Sequence, residues 1–236
     1  MYSTSFLKNI FNQLKRGDVL TLKNFLYYQR WKFFLRPEHN SIIDMQPWLT
    51  YPAIDFLQKN ISSQYKIFEY GGGGSTLFFL QRASEVVTVE HDSKWFQCLQ
   101  EIIKSKKMKG WNGKMIEAEP IIEPTTLSAS NPGDYYSDDV NFNKSIFKNY
   151  VSFIDTFSDA YFDLILIDGR ARTSCLKHSI PKLKTGGYLV LDNSERSYYI
   201  EQQKERMKKE FGLILNSFAP LPYSIGFSRT SIWRKR

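Results

Sequence analysis

The feature that most constrains this fold is a run of four glycines, residues 71–74, between two apolar segments. The segment IFEYGGGGST starts at Ile67, and the apolar stretch LFFL follows it. This pattern predicts a strand, a tight turn and the start of a helix, with Ser75 or Thr76 as the N-cap. Glycine permits positive φ and lets a ligand approach the main chain closely. The segment therefore predicts a ligand-binding turn at the carboxyl end of a strand.

Acidic residues mark the ends of this strand and of the next one. Glu69 precedes the glycines, and Glu90 ends the apolar run EVVTVE. A glycine-rich turn, followed about twenty residues later by an acid at a strand end, is typical of a site for an adenosine-containing cofactor. A dinucleotide fingerprint would require G-x-G-x-x-G, whereas Thr76 occupies the third glycine position.

The form acid-x-Gly-x-Gly-x-Ser resembles motif I of the class I S-adenosylmethionine-dependent methyltransferases. The resemblance implies an α/β fold, Rossmann-like and doubly wound, with a mostly parallel seven-stranded sheet and an antiparallel last strand. It implies a methyltransferase domain over residues 47–236, after an N-terminal helical extension over residues 1–46. In that family the acid after the second strand accepts hydrogen bonds from the ribose hydroxyls. S-adenosylmethionine is then the expected cofactor, bound by Glu69, Gly71, Gly72, Gly73, Ser75, Glu90 and His91.

Apolar runs and helical periodicities alternate along the rest of the chain. The predicted strands are 66–70, 86–90, 113–120, 162–168 and 188–193, followed by β-like runs at 213–218 and 225–233. The predicted helices are 1–36, 46–60, 76–82, 92–106, 146–157, 173–183 and 196–210. One buried stripe is predicted on the helix 92–106, formed by Trp95, Phe96, Leu99, Ile102 and Ile103. Residues 121–144 are rich in Pro, Ser, Asn and Asp and predict a long loop.

Acids also follow two later strands. The run FDLILID ends at Asp168, and YLVLDN ends in Asp192 and Asn193. Since ligands of open parallel sheets bind outside the carboxyl ends of the strands, these acids are expected to share one rim with Glu69 and Glu90.

The motifs DGRAR and DNSER resemble the metal site of the cation-dependent O-methyltransferases of the catechol and caffeoyl-CoA types. Carried over, Asp168, Asp192 and Asn193 would hold Mg²⁺, which prefers oxygen ligands and lowers the pKa of a bound hydroxyl. Those enzymes carry a Lys three residues after the first Asp, and this chain has Ala171 there. Class I methyltransferases without a metal also carry an acid after strand four, so a metal-free site is the alternative.

The predicted catalytic residues are Asp168, Arg170 and Arg172. Because Arg cannot act as a base near neutral pH, either Asp168, His91 or His178 would serve as the base, or the metal alone would suffice. Guanidinium groups suit carboxylates and phosphates, so the two arginines would hold an acidic acceptor at the rim.

Two further sets of residues have alternative interpretations. The arginines would otherwise form an internal ion pair with Glu195 or Asp192. Four aromatic side chains either line the acceptor pocket or pack in the core: Trp48, Tyr51, Tyr198 and Tyr199.

Charge and composition bear on the partners and the compartment. The formal net charge is +8, with a surplus of four cations in residues 1–60 and of five in residues 201–236. No nucleic-acid-binding signature accompanies this charge, so a nucleic acid partner is not expected. The two cysteines are predicted to be reduced and half-buried, and no transmembrane run or secretory signal is visible. These features predict a cytoplasmic protein.

The segment 22–37 mixes large aromatic residues with cations that do not gather on one face of a helix. A membrane-surface helix would segregate them. The segment is therefore predicted to cap the domain or to form a contact in a homodimer, with peripheral membrane contact as the alternative.

These patterns together predict a methyltransferase that acts on oxygen of a small molecule or a glycan. No DPPY-like tetrapeptide lies near strand four, so amino methylation of DNA bases is not expected. Two alternatives are an NAD-dependent enzyme on a related sheet and a catalytically silent, membrane-associated subunit of a glycan assembly complex.

Overall fold

The computed structural model describes residues 2–122 and 126–236. A seven-stranded sheet forms its centre, made of β1 Lys66–Tyr70, β2 Glu85–Glu90, β3 Trp111–Met115, β4 Phe162–Ile167, β5 Leu183–Leu191, β6 Phe211–Pro220 and β7 Phe227–Lys235. The strand order is β3-β2-β1-β4-β5-β7-β6. Strands β1 to β5 pair in parallel, and β7 runs antiparallel to both of its neighbours. The predicted fold, a Rossmann-like sheet with an antiparallel last strand, is confirmed.

Helices precede the sheet and connect its strands. In chain order they are α1 Tyr2–Lys15, α2 Tyr28–Phe34, α3 Tyr51–Asn60, α4 Gly74–Leu80, α5 Ser93–Ser105, α6 Lys148–Ser152, α7 Arg172–Lys182, α8 Tyr198–Glu201 and α9 Lys204–Glu210. Segments of 3₁₀ helix lie at Val19–Tyr27, Val140–Phe142 and Phe153–Thr156. A short antiparallel pairing joins Glu119–Pro120 to Ser145–Ile146.

The central strands are mostly apolar, and both faces of the sheet are covered. Phe68 and Ile165 pack in the cluster on one face, whereas Ile67 and Leu164 pack in the cluster on the other. Parallel strands buried on both faces have this composition. The carboxyl ends of β1, β2, β4 and β5 consequently meet at one edge.

Several predicted elements differ from the observed ones. The predicted helix 1–36 is divided into α1, the 3₁₀ segment Val19–Tyr27 and α2, and the predicted helix 46–60 begins at Tyr51. The third strand ends at Met115, and the predicted helix 196–210 is divided into α8 and α9. On α5, Leu99 and Ile103 are buried, but Trp95 is 38% exposed and does not belong to the buried stripe. The predicted loop 121–144 lies partly outside the described residues, since 123–125 are not among them.

The N-terminal segment packs on the sheet. Phe6 and Trp31 are fully buried in the same cluster as strand residues, and their rings lie 5.1 Å apart. Trp31 Nε1 donates a hydrogen bond of 2.8 Å to the carbonyl of Ser224, in the connection between β6 and β7. This packing agrees with a cap on the domain, and the boundary at residues 46 and 47 stays a prediction.

Two further expectations concern the cysteines and membrane-spanning segments. Both cysteines are free; Cys175 is buried and Cys98 is exposed, so neither is half-buried as predicted. Within residues 2–122 and 126–236, the helices are too short or too polar to span a bilayer.

Candidate functional site

A cavity of about 640 Å³ opens at the carboxyl edge of the sheet. The turns after β1, β2, β4 and β5 form its floor, and the β6–β7 connection and the N-terminal region form its wall. Its lining residues from the predicted site are Gly71, Gly72, Gly73, Ser75, Glu90, His91, Asp168, Arg170, Arg172, Asp192 and Asn193. The structure therefore brings together all the predicted site residues except Glu69.

The glycine-rich turn is held against the turn that follows β4. Gly71 has a φ of 86°, and a Cβ at this position would lie 3.0 Å from the Cα of Gly169. Only glycine allows both the left-handed conformation and this approach of two main chains. Helix α4 begins at Gly74, and the amide of Gly73 donates to Thr76 Oγ1 over 2.9 Å. Thr76 thus caps the helix from its first turn, and the prediction of Ser75 or Thr76 as the N-cap residue is wrong.

Glu69 lies beneath this turn and does not line the cavity. The side chain is fully buried, and its two oxygens accept hydrogen bonds of 2.8 Å from Ser75 Oγ and Thr88 Oγ1. Burial raises the pKa of Glu69 to about 7, although the hydroxyl hydrogen bonds oppose the shift. The carboxyl supports the turn from inside the protein, which corrects the expectation that it faces a cofactor.

Glu90 does face the cavity and is ionised. Its Oε2 accepts the amide of Gly72 at 2.9 Å, and its Oε1 accepts the amides of His91 and Asp92 at 2.7 and 2.9 Å. Burial raises the pKa of Glu90, but the hydrogen bonds from His91 and from the amides of Asp92 and Gly72 outweigh it, so the net pKa is lowered. The site thus contains an almost buried carboxylate that is fixed by the glycine-rich turn.

His91 and Arg170 connect Glu90 to the loop before β4. Nδ1 of His91 lies 2.7 Å from Glu90 Oε1, and Nε2 accepts from Arg170 Nε at 3.3 Å. Nη1 of Arg170 forms an ion pair of 2.6 Å with Asp139. The ring of Phe142 packs on both His91 and Arg170, with centroid distances of 5.1 and 5.3 Å. Arg170 therefore has an internal partner, although a different one from those expected.

Trp95 is a site residue that the sequence analysis missed. Its indole Nε1 donates a hydrogen bond of 2.7 Å to the carbonyl of Gly72, and the ring lines the cavity beside Gly73. The only sequence signal for a role in the site was the position of Trp95 in the first turn of the helix after Glu90. Periodicity alone placed it in the buried stripe.

Arg172 joins the two acids at the ends of β4 and β5. Its Nη2 donates to Asp168 Oδ1 at 3.0 Å and to the Asp168 carbonyl at 3.1 Å, while Nη1 donates to the Asp192 carbonyl at 2.6 Å. Its Nε donates to the carbonyl of Gly169 at 3.0 Å. Four of the five N–H groups of a guanidinium are thus used inside the protein. The expected ion pair with Asp192 is a hydrogen bond to its main chain, and the carboxylate partner is Asp168.

The carboxyl of Asp192 is the more strongly perturbed of the two. It is almost fully buried, and its Oδ1 accepts a hydrogen bond of 2.6 Å from Thr230. Burial and then the charge of Asp168 raise the pKa of Asp192 to about 8, although Arg172 opposes the shift. Burial raises the pKa of Asp168 as well. Burial and the neighbouring carboxylate therefore favour the protonated form of Asp192.

The predicted magnesium ligands do not fit a divalent cation well. Arg172 already supplies positive charge beside Asp168 and Asp192, and the amide of Asn193 donates to Ser228 Oγ at 2.8 Å. Across the part of the chain that the structure describes, no cluster of three or more His, Cys, Asp or Glu side chains is arranged to hold a metal. The geometry therefore does not support the expectation of Mg²⁺.

The outer wall of the cavity comes from segments with no recognisable motif. Its members outside the strand-end turns are Ser41, Trp48, Leu221, Ser224, Phe227 and Ser228. Trp48 was expected either here or in the core, and it lies here; Tyr51 is fully buried in the core. The connection between β6 and β7 reaches the cavity only because β7 is inserted between β5 and β6, which local sequence does not reveal.

The remaining candidates lie beside or outside the main cavity. Tyr199 lines a small adjacent cavity of about 110 Å³, and its hydroxyl accepts from Arg196 at 2.9 Å. The hydroxyl of Tyr198 donates to Asp138. His178 pairs with Asp155 at 2.6 Å and does not line the main cavity, so it is not placed to act as a base there.

Comparison with known proteins places this architecture among the methyltransferase folds. No family model and no curated protein matches the chain. A Clostridium thermocellum protein described as an rRNA methylase aligns with a TM-score of 0.52 and 12% identity, over 77% of this chain and 92% of that one. A Streptococcus mutans protein described as a methyltransferase, in complex with SAH, aligns with a TM-score of 0.50 and 13% identity, over 77% and 94%. At these identities the similarity shows the fold alone.

Proposed function

We propose that this protein is an S-adenosylmethionine-dependent methyltransferase. The observation that carries the proposal is the direct connection between Glu90 and the glycine-rich turn, at the cavity edge of a sheet with the methyltransferase strand order. In open parallel sheets this edge is where ligands bind. A cavity of about 640 Å³ lies within the usual range for nucleoside-sized ligands.

The residues present fit such a cofactor. A carboxylate has about four lone-pair positions. Among the residues that the structure describes, Oε2 of Glu90 accepts one hydrogen bond, from the amide of Gly72, so acceptor capacity remains for the ribose hydroxyls. The main chain of residues 71–73 would lie along the methionyl part, with the indole of Trp95 beside it. His91 and Phe142 line the adjoining space, where an adenine ring would be in reach of their aromatic faces. When bound, S-adenosylmethionine supplies an activated methyl group.

We propose a hydroxyl of a small molecule or a glycan as the acceptor, with Asp192 as the group that takes its proton. Asp192 lines the cavity, and its ionised form can accept a proton from a hydroxyl within hydrogen-bond reach. Its pKa of about 8 is close to the working pH, where general bases are most effective. Positioning supplies the rest, since effective molarities of oriented reactants are large.

The internal pairing of the arginines bears on the charge of the acceptor. Arg172 uses four of its donors on main-chain and carboxylate oxygens, and Arg170 pairs with Asp139. Neither guanidinium is a free fork for a carboxylate or phosphate. This arrangement favours a neutral hydroxyl acceptor over an acidic one.

Calorimetric titration with S-adenosylhomocysteine tests the cofactor. Micromolar binding is expected for the native chain and for Glu69→Gln, because Glu69 does not line the cavity, and a loss of about tenfold or more is expected for Glu90→Gln. A parallel titration with NAD⁺ should give no heat of binding. Binding of NAD⁺ alone, or no binding to a chain shown to be folded, would reject the methyltransferase proposal.

A further inference from the structure

The 3₁₀ segment Val19–Tyr27 has an inverted polarity. Its buried side chains are the polar ones, Thr21 and Asn24. The amide of Asn24 donates to the carbonyl of Phe218 at 3.1 Å and to Thr21 Oγ1 at 3.3 Å. Apart from Lys23, its exposed side chains are large and apolar, with Leu26 83% exposed: Val19, Leu20, Leu22, Phe25 and Leu26. A segment that faced only water would be expected to have the opposite arrangement.

Helix α1 extends this apolar surface. One of its faces carries Phe6 and Ile10, which are buried in the core. A second face carries Leu7, Phe11 and Leu14 at helical spacing, and it forms an open apolar groove of about 610 Å³ with Leu22 and Phe25. A helix that is apolar on more than one face is expected to contact a second nonpolar environment besides the protein core. Because Phe6 contacts Trp31 and Phe227, the groove is fixed to the domain.

Exposed cations lie on or next to these two segments and on and after the neighbouring helix α2. Residues 1–37 contain seven Lys or Arg and one acid, Asp18. Six of these cations are exposed, and in the part of the chain that the structure describes none of them has an ion-pair partner: Lys8, Lys15, Arg16, Lys23, Lys32 and Arg36. The ammonium of Lys15 lies 4.6 Å from the ring of Phe11, so charge and apolar surface are in direct contact.

We propose that this N-terminal surface, formed by α1 and Val19–Tyr27, docks the protein on an anionic membrane. Apolar side chains would enter the headgroup boundary while the exposed Lys and Arg contact anionic headgroups, as in interfacial segments. The charge argument favours a lipid surface over a second copy of this chain, because two copies would bring the same cations together. The segment is a 3₁₀ turn followed by α2 and not one regular helix, so a helical projection of residues 22–37 could not reveal this surface.

Flotation of the full chain with lipid vesicles tests the proposal. Binding is expected to phosphatidylcholine vesicles that contain phosphatidylserine, to be at least about tenfold weaker on phosphatidylcholine alone, and to weaken with salt. The double variant Leu20→Ser/Leu26→Ser should lose about tenfold or more in partitioning. The matched control Leu213→Ser/Ile214→Ser removes two exposed apolar side chains from β6 and should float like the native chain.

A charge-reversed variant and a size measurement complete the test. Lys15→Glu/Lys23→Glu should lose binding with an unchanged melting temperature, which covers the case in which the serine variant folds poorly. Absence of flotation of the native chain, or an equal loss in the β6 control, would overturn the proposal. A native dimer that Leu20→Ser/Leu26→Ser converts to a monomer, without vesicle binding, would assign the surface to self-association. Because no cofactor is needed, the outcome does not depend on the proposed enzymatic function.

Discussion

Replacement of Glu69 by glutamine is expected to change the pH dependence of stability without weakening cofactor binding. The carboxyl is fully buried beneath the glycine-rich turn and accepts hydrogen bonds from Ser75 and Thr88. Glutamine has nearly the same shape, and a hydroxyl can turn to accept from its amide. The variant therefore removes the ionisation and keeps the packing.

The size of the effect follows from the pKa. Burial raises the pKa of Glu69 from 4.5 to about 7. A folded-state pKa above the unfolded one gives stability that is complete below the unfolded pKa and is lost as pH rises through the folded pKa. A difference of about 2.5 in pKa corresponds to roughly 3 kcal/mol in the free energy of unfolding. Between pH 4 and pH 8, the stability of Glu69→Gln relative to the native chain should rise by about this amount.

Urea unfolding followed by tryptophan fluorescence at several pH values measures this difference. The other titrating groups are common to both chains and cancel in the comparison. Glu85→Gln is the matched control. Glu85 lies at the end of β2 away from the cavity, is partly exposed, and accepts a hydrogen bond of 3.0 Å from Tyr161. If the unfolding free energies of Glu69→Gln and the native chain stay parallel from pH 4 to pH 8, the assignment of a buried, proton-binding carboxyl to Glu69 is refuted.

Three further predictions concern the rim of the cavity. With an acceptor hydroxyl found by screening with labelled S-adenosylmethionine, turnover should rise with pH through about 8, as Asp192 ionises, and Asp192→Asn should lack this rise; an unchanged profile in the variant would exclude Asp192 as the base. Gly74→Ala should destabilise the fold by roughly 3 kcal/mol in thermal unfolding, because its Cβ would lie 2.2 Å from the carbonyl oxygen of Ser41. The control Gly212→Ala, whose Cβ would have no atom within 4 Å, should change the free energy of unfolding by less than about 1 kcal/mol. Turnover should be the same with EDTA as with added Mg²⁺, since Arg172 supplies the charge beside the acids, and a loss with EDTA that Mg²⁺ restores would contradict this.

Strands β1, β2 and β4 could be predicted closely because each contains an apolar run with a glycine or an acid at its end. β1 was predicted without error, and β4 ends one residue before the prediction. The third strand was less clear because its burial alternates, and the prediction extended it beyond Met115. The N-terminal break between 3₁₀ and α helix was not predicted. Asn24 in the 3₁₀ segment donates a hydrogen bond to the carbonyl of Phe218, a residue that is distant in sequence.

The site was predictable where it depends on strand ends and unpredictable where it depends on side-chain direction. Glu69 and Glu90 both follow apolar residues near the end of a strand, yet only Glu90 reaches the cavity. Glu69 lies one residue before the strand ends, and its side chain turns to Ser75 and Thr88. Successive strand residues point to opposite faces, so a shift of one residue decides between supporting a turn and facing a ligand.

The same dependence on a single position explains the chemistry at the acidic rim. The cation-dependent enzymes that DGRAR resembles have a Lys three residues after the Asp, but here that position is Ala171, with a φ of 46°. The left-handed residue starts α7 at Arg172, whose guanidinium turns back to the ends of β4 and β5. Because a guanidinium does not release its proton near neutral pH, Arg172 is a fixed positive charge and not a base. Arg172 favours ionisation of Asp168. Burial and then the charge of Asp168 raise the pKa of Asp192, which is why Asp192 is the group proposed to take the proton of an acceptor.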